Sequence, residues 1–508
     1  MTSNKKVIVI GAGVGGTAIA ARLAKDGFNV TVLEKNSFGG GRCSILRNGE
    51  HRFDQGPSLY LLPKLFQEFF EDLGENINDH IDLLKCPSNY KVHFHDGKYI
   101  HLTSDLPKLI TEIERFEGKG EQTSQNLLNF IQESYTHYNL GIEFGLKNGY
   151  SNIFDVIKKF EQLPALFKVH ILETVFGRIC KYFSSDYIRR AFTFQTMYMG
   201  NSPFEAPAVY SLLQCTEIID GIWYPKGGFY EVVKALENIA IKHGAKFKYD
   251  APVLKINVDV DYKVTGVTLE DETVLNADLI VCNADTVYAY NRLLPWTEYG
   301  MKLGNKFELT ASTISFYWSL SKQVLELDTH NIFLAKAYKE SFDEIFKEFR
   351  LPSEPSFYIH VPNRIDETAA PVNKDTLVVL VPVGHVNNLV SQNFDEWIKR
   401  ARNAVITTIE ERCKVTNFEQ LIEHEMINDP RSWKEKFNLW KGSALGLSHI
   451  ITQMLCFRPS TRCKIFKNLY FVGASTQPGT GVPVVLCSAK LAANQINEDQ
   501  HCKTNKPL

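Results

Sequence analysis

The stretch VIVIGAGVGGTAIAARLAKDGFNVTVLEK, residues 7–35, constrains the fold of this 508-residue chain more than any other. An apolar run typical of a buried parallel strand leads into Gly11, Gly13 and Gly16, whose G-x-G-x-x-G spacing opens a helix against a dinucleotide pyrophosphate. A second apolar run ends at Glu34, where a carboxylate can accept hydrogen bonds from ribose hydroxyls and disfavours a 2′-phosphate. The pattern predicts a Rossmann-type nucleotide-binding unit, with NADP as the least expected ligand.

The composition argues against several classes of protein. The 56 basic and 58 acidic residues give a formal charge of -2, and the charges form no long run of one sign, so we expect no nucleic-acid partner. The ten cysteines include no C-x-x-C pair, which predicts neither a zinc site nor a disulfide framework and indicates a reducing compartment. We therefore expect no metal centre.

The apolar residues are too dispersed for a membrane span. No apolar run approaches the roughly 20 residues that a bilayer requires, and the first predicted strand follows the N-terminus almost directly, so we expect neither a spanning helix nor a signal peptide. Aromatic residues make up 12% of the chain, with 33 Phe and 21 Tyr. A large aromatic core is the ordinary use of such residues, and the wall of an apolar substrate tunnel is the alternative.

Further parts of a nucleotide-binding domain lie far along the chain. The turn GGGR, which ends at Arg42, can bind a second face of the same diphosphate through backbone N–H groups and a cation. Residues 224–283 predict a helix at Tyr230–Lys242 and strands that include Val264–Leu269. Residues 469–496 predict a short strand, a Gly/Pro loop and a closing helix whose N-terminus can face an anion.

Together these pieces predict an α/β fold in which a Rossmann-type domain is assembled from three separated segments, with an inserted α+β substrate domain. The first insertion has mostly helical patterns, and the second has strand patterns at 313–320 and 377–383. The predicted bounds are residues 1–89, 224–289 and 463–500 for the nucleotide-binding domain, 90–223 and 290–462 for the substrate domain, and 501–508 for a tail.

An amphipathic stretch within the first insertion, residues 153–179, has two interpretations. Its apolar residues recur at helical spacing with lysines and Arg178 among them, and Pro164 interrupts the pattern. Such a segment can lie in the headgroup region of a bilayer. Packing of its apolar face on the protein core is the commoner use.

Candidates for acid–base chemistry or metal binding are few. Asp186, Arg189 and Arg190 precede an aromatic-rich stretch suited to a tunnel wall, although an ordinary i,i+3 or i,i+4 surface pair is the commoner meaning of this spacing. His93 and His95 put two imidazoles on one face of a predicted strand, but no third metal ligand accompanies them. We favour a plain hairpin face for the two histidines.

Several motifs together resemble those of a known family. The stretches GAGVGGTAIAARLAKDGF, GGGRCS, HRFDQGPSLY, IWYPKGGF and FVGASTQPGTGVP resemble the phytoene desaturases of the bacterial and fungal type, with the fungal sequences the most similar. That family is part of the amine-oxidase-like group of flavoproteins. The resemblance covers residues 5–496, and the last motif is its most specific part.

The resemblance implies that FAD is the cofactor and where it binds. The first three glycines would hold the diphosphate, Glu34 the adenosine ribose, and the backbone of Val253 the adenine. The closing loop would lie beside the diphosphate, the ribityl chain and the flavin ring. The residues that the resemblance places at FAD are Gly11, Gly13, Gly16, Glu34, Gly41, Arg42, Val253, Gly473, Ala474, Gly481 and Val482.

The implied activity is the introduction of conjugated double bonds into 15-cis-phytoene by hydride transfer to flavin N5. The long isoprenoid would enter from a membrane surface, and the electrons would pass to oxygen or a quinone. We expect a peripheral protein on the cytoplasmic side of a membrane, with a homo-oligomer among its expected partners. The number of desaturation steps depends on tunnel geometry.

One position departs from the family pattern. Family members usually have His before the Pro-Gly of the closing loop, where this chain has Gln477. Glutamine keeps the hydrogen bonding of an imidazole but does not titrate near neutral pH. We treat Gln477, Asp186 and Arg189 as the catalytic candidates, with Gln477 placed to orient flavin or substrate.

Two other functions fit the same fold. Escort proteins for prenylated GTPases share it and begin with a similar glycine loop, but they work without flavin. The complete closing motif and the GGGR turn argue against such a carrier. A retinol saturase-like flavoprotein would run the opposite reaction on a shorter substrate with a polar end.

Overall fold

The strand that precedes the glycine loop, Lys6–Ile10, is the centre of a five-stranded parallel sheet in the computed structural model, which describes residues 5–159 and 168–504. Continuous apolar runs form its inner strands because both faces of the sheet are covered. In spatial order the strands are Leu469–Phe471, Leu279–Cys282, Lys6–Ile10, Asn29–Leu33 and Lys246–Lys248. They come from three distant parts of the chain.

Three helices pack together on this sheet: Val14–Lys25, Tyr230–Lys242 and Val482–Thr504. The first is almost entirely buried, and small residues such as Ala18 and Ala21 let the other two approach it closely. A three-stranded antiparallel sheet, Val253–Val258, Val264–Leu269 and Val274–Asn276, packs on the opposite face of the parallel sheet. The predicted helix at Tyr230–Lys242 and strand at Val264–Leu269 are confirmed.

A second, seven-stranded sheet is built from the two insertions. Its strands, in spatial order, are Ile422–Asn428, Ser312–Leu320, Asp375–Val383, Phe357–His360, His330–Phe333, Tyr90–His93 and Tyr99–Leu102. All neighbours are antiparallel except His330–Phe333 and Tyr90–His93, which pair in parallel. That one pairing brings the two insertions together in a single sheet.

Helices cover the inner part of this sheet. Those of the first insertion enclose an aromatic core, in which the Phe130 ring meets Phe183 and Phe192 edge to face at 5.9 and 5.5 Å, while Phe183 and Phe192 stack on each other at 5.3 Å. The α-helices of this layer are Leu106–Glu117, Glu121–Leu140, Ile153–Lys159, Val175–Ile179, Asp186–Ala191 and Leu212–Ile219, with 3-10 helices at Phe194–Met199 and Ala208–Ser211 and a π-helix at Gly141–Leu146.

The remaining elements connect the two sheets. The hairpin Ile45–Asn48 and His51–Asp54 contacts the seven-stranded sheet, and Leu83–Lys85 pairs with Trp223–Pro225. The other α-helices are Pro63–Asp72, Thr286–Tyr288, Glu298–Lys306, Tyr338–Phe346, Phe394–Cys413 and Pro430–Phe437.

The amphipathic stretch is divided. Its first part forms the helix Ile153–Lys159, residues 160–167 lie outside the described residues, and Val175–Ile179 is a short helix with both end residues buried. Among the residues that the structure describes, no helix is both long enough and apolar enough to cross a bilayer.

Candidate functional site

A single cavity extends from the glycine loop of the parallel sheet to the inner wall of the seven-stranded sheet. Ten of the eleven predicted FAD residues line it, and Gly16 does not. Gly16 packs under the loop instead: a Cβ at this position would lie 1.9 Å from the carbonyl oxygen of Gly11. The absence of a side chain at Gly16 therefore lets the helix pack closely against the end of the first strand.

The glycine loop forms a cradle that side chains would fill. Gly11 has φ +94°, and a Cβ at Gly13 would lie 2.9 Å from the Asn283 amide nitrogen. The helix Val14–Lys25 begins directly after Gly13, and no side chain caps its N-terminus. Its free N–H groups and positive dipole end therefore face the cavity, as a diphosphate requires.

Glu34 directly follows the strand Asn29–Leu33, as the sequence predicts. Its carboxylate accepts hydrogen bonds from the Ala12 backbone N–H at 2.8 Å and from both the backbone and side-chain N–H groups of Asn36 at 2.9 Å. The residue is buried and lines the cavity. The acid is thus positioned beside the loop, where it can bind a ribose.

Arg42 provides a cation in the wall of the same cavity. Its Nη1 donates to the Ala444 carbonyl at 2.6 Å, and among the described residues it has no carboxylate within salt-bridge distance. Burial lowers the pKa of Arg42, whereas the electrostatic interactions with Cys43 and Asp285 raise it. A partly buried guanidinium that lines the cavity without a paired carboxylate fits an anionic ligand such as a diphosphate.

The closing loop completes this end of the cavity. Gly473 and Gly481 have φ +112° and +102°, a region that favours glycine, and the helix Val482–Thr504 begins immediately after the second of them. Ser475 Oγ donates to the Asp285 carboxylate at 2.6 Å. The loop therefore aims a second helix N-terminus at the same space. These features fit FAD.

Arg458 holds the closing loop in place, and no pattern in the sequence marks this residue. Its guanidinium is buried and donates to the carbonyls of Ala474 at 2.5 Å and Thr476 at 3.0 Å. It also donates to Ser448 at 3.0 Å. Burial lowers the pKa of Arg458 to about 10, so the residue remains charged at neutral pH.

The other end of the cavity is apolar. It is lined by Leu59, Leu61, Leu62, Phe194, Met197, Met199, Leu213, Ile332, Phe357 and Leu380, together with the rings of Tyr198 and Tyr358. Aromatic residues thus lie both in the cavity wall and in the protein core, to which Trp318 and Phe130 belong. An apolar chain would be enclosed here.

A few polar groups interrupt this apolar wall. The Tyr358 hydroxyl lies 2.7 Å from both Ser58 Oγ and His330 Nδ1. Burial lowers the pKa of His330 to about 3, so its imidazole is neutral. The polar groups of this part of the wall therefore satisfy one another without introducing a charge.

Gln477 does not reach the cavity, which corrects its predicted role of orienting flavin or substrate. Its amide oxygen accepts from the Tyr150 N–H at 3.0 Å, and its amide nitrogen donates to the carbonyls of Tyr150 and Leu455 at 2.8 Å. The side chain is buried with these partners. Gln477 therefore ties the closing loop to two neighbouring segments.

A different imidazole contacts the closing loop. His449 Nε2 accepts a hydrogen bond from the Thr480 N–H at 3.1 Å, and Thr480 lines the cavity. Burial lowers the pKa of His449 well below its usual range, so the ring acts as a neutral acceptor. Its distance along the chain from the closing motif concealed this contact from sequence reasoning.

Asp186 and Arg189 lie outside the cavity lining, which corrects their assignment as catalytic candidates. The Asp186 carboxylate is 61% exposed and pairs with Arg190 at 2.6 Å on the same helix. Arg189 Nε donates to the Phe183 carbonyl at 2.7 Å. The i,i+4 surface pair is thus the interpretation that the structure supports.

The two histidines at 93 and 95 do not form a pair. His93 is buried in its strand and stacks on Phe333 at 4.4 Å, whereas His95 is exposed in the following turn. Burial lowers the pKa of His93 to about 3.

Within the described ranges, one group of three side chains has metal-ligand spacing: Glu133, His137 and His170. Arg178 already forms an ion pair with Glu133, and His137 Nδ1 lies 2.7 Å from Ser211 Oγ. These contacts use the ligand atoms that a metal ion would need.

The comparisons with known proteins agree with this geometry. The model of the family described as flavin containing amine oxidoreductase matches residues 14–497. A phytoene desaturase of Phycomyces blakesleeanus is 55% identical over 502 residues, which is 98% of this chain and 86% of that protein. A zeta-carotene-forming phytoene desaturase of Myxococcus xanthus is 39% identical and covers 99% of this chain and 96% of its own length.

Solved structures share the fold. An oxidoreductase of Methanosarcina mazei has a TM-score of 0.63 at 16% identity and covers 97% of this chain and all of its own (100%). A Rab GDI of Plasmodium falciparum has a TM-score of 0.54 at 12% identity, with 98% of both chains covered. At such identities the likeness concerns the fold alone. By its sequence relatives and its family model, the chain belongs to the flavin containing amine oxidoreductases and, among them, to the phytoene desaturases.

Proposed function

We propose that this chain is an FAD-dependent carotenoid desaturase that acts on 15-cis-phytoene or a partly desaturated relative. The observation that carries the proposal is the continuity of the cavity, in which a dinucleotide cradle and an apolar chamber meet. The relatives named phytoene desaturase, at 46% to 55% identity for the fungal sequences from Phycomyces blakesleeanus and Neurospora crassa, support the substrate class.

Substrate binding relies on apolar contact. A carotene carries no charge and no hydrogen-bonding group, so its affinity comes from burial at about 25 cal/mol per Å² of apolar surface. Leu213, Phe357 and Leu380 supply such surface from three different elements. The hydrogen-bonded set of Tyr358, Ser58 and His330 adds no unpaired polar group to that surface.

The chain's own residues would bind the cofactor, orient the substrate and exclude water. The N-termini of two helices and Arg42 would hold the FAD diphosphate, Glu34 the adenosine ribose, and the backbone of Val253 the adenine. FAD would supply the acceptor for the hydride that leaves the substrate. The apolar wall would keep solvent from the reacting carbons and would hold them beside the acceptor, where hydride transfer requires a distance of about 3–3.5 Å.

Exposed apolar side chains favour attachment to a membrane surface. In the helix Ile153–Lys159, Ile153, Phe154 and Ile157 are 45%, 68% and 53% exposed. This helix contacts the short segment Leu455–Phe457, where Phe457 is 54% exposed. An apolar patch of this kind suits the headgroup region of a bilayer. The proposed location is peripheral, on the cytoplasmic side of a membrane.

Liposome flotation tests the membrane proposal. Phe154→Ser and Ile157→Ser together should lower the bound fraction several-fold, because the buried apolar area provides the attraction. Leu389→Ser is the matched control, since Leu389 is 93% exposed in a different part of the chain. Equal losses in both variants would argue against a specific membrane face.

The first test of the activity is spectroscopic. The purified protein should show a flavin absorption band, and anaerobic mixing with phytoene in liposomes should bleach it while a conjugated polyene appears. The polyene spectrum counts the double bonds and so the desaturation steps. A protein that FAD cannot reconstitute would contradict the enzyme proposal and favour an isoprenoid carrier.

Three parts of the proposal need separate measurements. Reoxidation of the bleached flavin by air or by a quinone identifies the electron acceptor. Light scattering of the holoprotein gives the state of self-association. Activity with a retinoid but not with phytoene would favour a saturase-like enzyme instead.

A further inference from the structure

A segment of the second insertion lies along the nucleotide end of the cavity. The end of the helix Pro430–Phe437 and the chain that follows it contribute Lys436, Phe437, Asn438, Leu439, Ala444 and Leu445 to the cavity lining. Residues 435–445 are called the covering segment below. None of the eleven residues that the resemblance places at FAD belongs to it.

A lysine of the nucleotide-binding domain binds one end of the covering segment. Lys35 directly follows Glu34, the residue expected at the adenosine ribose. Its Nζ donates to the Glu435 carbonyl at 2.6 Å and to Asn438 Oδ1 at 3.0 Å. A cation at a helix C-terminus satisfies carbonyl groups that the helix leaves unpaired and interacts favourably with its dipole. The covering segment is thereby attached beside the ribose residue.

Asn36 joins the same helix end to Glu34. Its Nδ2 donates to the Lys436 carbonyl at 3.2 Å and to the Glu34 carboxylate at 2.9 Å. That carboxylate also accepts a hydrogen bond from the backbone N–H of Ala12, in the glycine loop, at 2.8 Å. A continuous set of hydrogen bonds therefore connects the glycine loop, the ribose residue and the covering segment.

The other end of the covering segment is attached at the residue expected beside the diphosphate. Arg42 Nη1 donates to the Ala444 carbonyl at 2.6 Å. The Leu445 N–H donates to Thr310 Oγ1 at 3.2 Å, and Ser443 Oγ lies 2.8 Å from the same oxygen. The covering segment thus extends from the ribose residue to the diphosphate residue.

We propose that the covering segment binds the ADP half of FAD, and that Lys35 and Asn36 position it there. Its two attachments lie at the residues expected to hold the ribose and the diphosphate, and its side chains line the cavity between them. The ADP half would then be enclosed between the glycine loop and the second insertion. The proposal rests on the flavin cofactor and is independent of the carotene substrate.

The test compares the two halves of the cofactor. Lys35→Met keeps the apolar part of the side chain but removes the ammonium group that holds the helix end. The dissociation constants of FAD and of ADP should both rise by about 10-fold, because both ligands contain the half that the segment covers. The dissociation constant of FMN, which lacks the adenosine, should remain unchanged. Fluorescence titration measures FAD and FMN binding, and calorimetry measures ADP binding.

Two further variants sharpen this test. Lys91→Met is the matched control, because Lys91 Nζ also donates to a carbonyl, that of Glu326, at 2.8 Å, but both residues lie outside the cavity lining. It should bind all three ligands like the unsubstituted protein. Asn438→Gly permits the φ of 54° and removes the side-chain acceptor of Lys35. Combined with Lys35→Met it should weaken ADP binding by less than the product of the two single effects.

Hydrogen exchange examines the covering segment without any substitution. Binding of ADP to the unsubstituted apoprotein should slow the exchange of backbone amides in residues 435–445 as well as in the glycine loop. FMN should leave the exchange of residues 435–445 unchanged.

Several results would overturn the proposal. Unchanged ADP affinity in Lys35→Met would remove the segment from the ADP half, and equal weakening of FMN and ADP would indicate a general distortion of the cavity. Weaker ADP binding without slower exchange in residues 435–445 would mean that Lys35 contacts the nucleotide itself. In each case the desaturase function stands, because these measurements do not involve the carotene. If the unsubstituted protein binds neither FAD nor ADP, both the proposal and the function fail.

Discussion

The backbone N–H of Ala12 donates a hydrogen bond to the Glu34 carboxylate at 2.8 Å, which joins the glycine loop to the end of the neighbouring strand. The same carboxylate binds both N–H groups of Asn36. One side chain thereby determines the positions of two backbone segments that line the nucleotide end of the cavity.

Replacement of Glu34 should therefore weaken FAD binding more than it destabilises the fold. We expect Glu34→Ala to raise the dissociation constant of FAD by about 10- to 100-fold, since it removes a ribose acceptor and frees the loop. Fluorescence titration of the apoprotein with FAD measures this constant. Glu298→Ala, at an exposed residue paired with Lys302, is the control. Equal affinities would exclude Glu34 from the site.

Gln477 should matter for stability. Gln477→Ala removes hydrogen bonds to Tyr150 and Leu455 and leaves their backbone groups buried, so we expect the free energy of unfolding to fall by roughly 2–3 kcal/mol. Urea unfolding of the apoprotein measures the change. Gln67→Ala, at an exposed residue bonded to Glu71, should have little effect. A large loss of rate with unchanged stability would instead restore the catalytic role.

Asp186→Asn should leave the activity unchanged. Its carboxylate is exposed and pairs only on the surface with Arg190, so the expected loss of stability is within about 1 kcal/mol. Flavin reduction by phytoene and thermal unfolding test this in parallel. A tenfold slower reduction with normal flavin content would return Asp186 to the catalytic candidates.

The unfolding free energy should depend on pH through Glu217. Burial raises its pKa from the usual 4.5 to about 8, so the folded state binds the proton more tightly than the unfolded state does. The stability that the protonated group contributes is complete below pH 4.5 and is lost as the pH rises towards about 8.

Glu217→Gln removes this titration. Its stability relative to the unsubstituted protein should rise by up to about 1.4 kcal/mol per pH unit between those two values. Urea unfolding of both apoproteins at several pH values gives the difference. A difference that does not vary with pH would show that Glu217 titrates normally.

The nucleotide cradle could be predicted because its determinants are local. The first strand, the glycine turn, the helix and Glu34 lie within thirty-five consecutive residues, and each has a residue pattern that its conformation demands. The closing loop is also one continuous stretch of sequence, so its glycines could be recognised as a second part of the binding site for the same ligand.

The directions of the side chains near the site could not be predicted from the sequence. Gln477 belongs to the closing motif, but its amide turns towards the backbone of Tyr150, which is 327 positions away. Asp186 precedes the wall residues Phe194 and Tyr198 in the chain, but its helix presents it to solvent. In both cases tertiary packing, rather than proximity in the chain, decided what the side chain contacts.

The sequence by itself determined the nucleotide-binding unit, because short-range backbone requirements such as positive φ and close helix approach admit few residue types. Only the tertiary structure decided the substrate side. Tyr90, Tyr198 and Glu217 meet because a strand, a 3-10 helix and a helix pack together at the cavity wall. Apolar packing accepts many sequences of similar volume, so no local pattern marks which buried polar groups it will bring together.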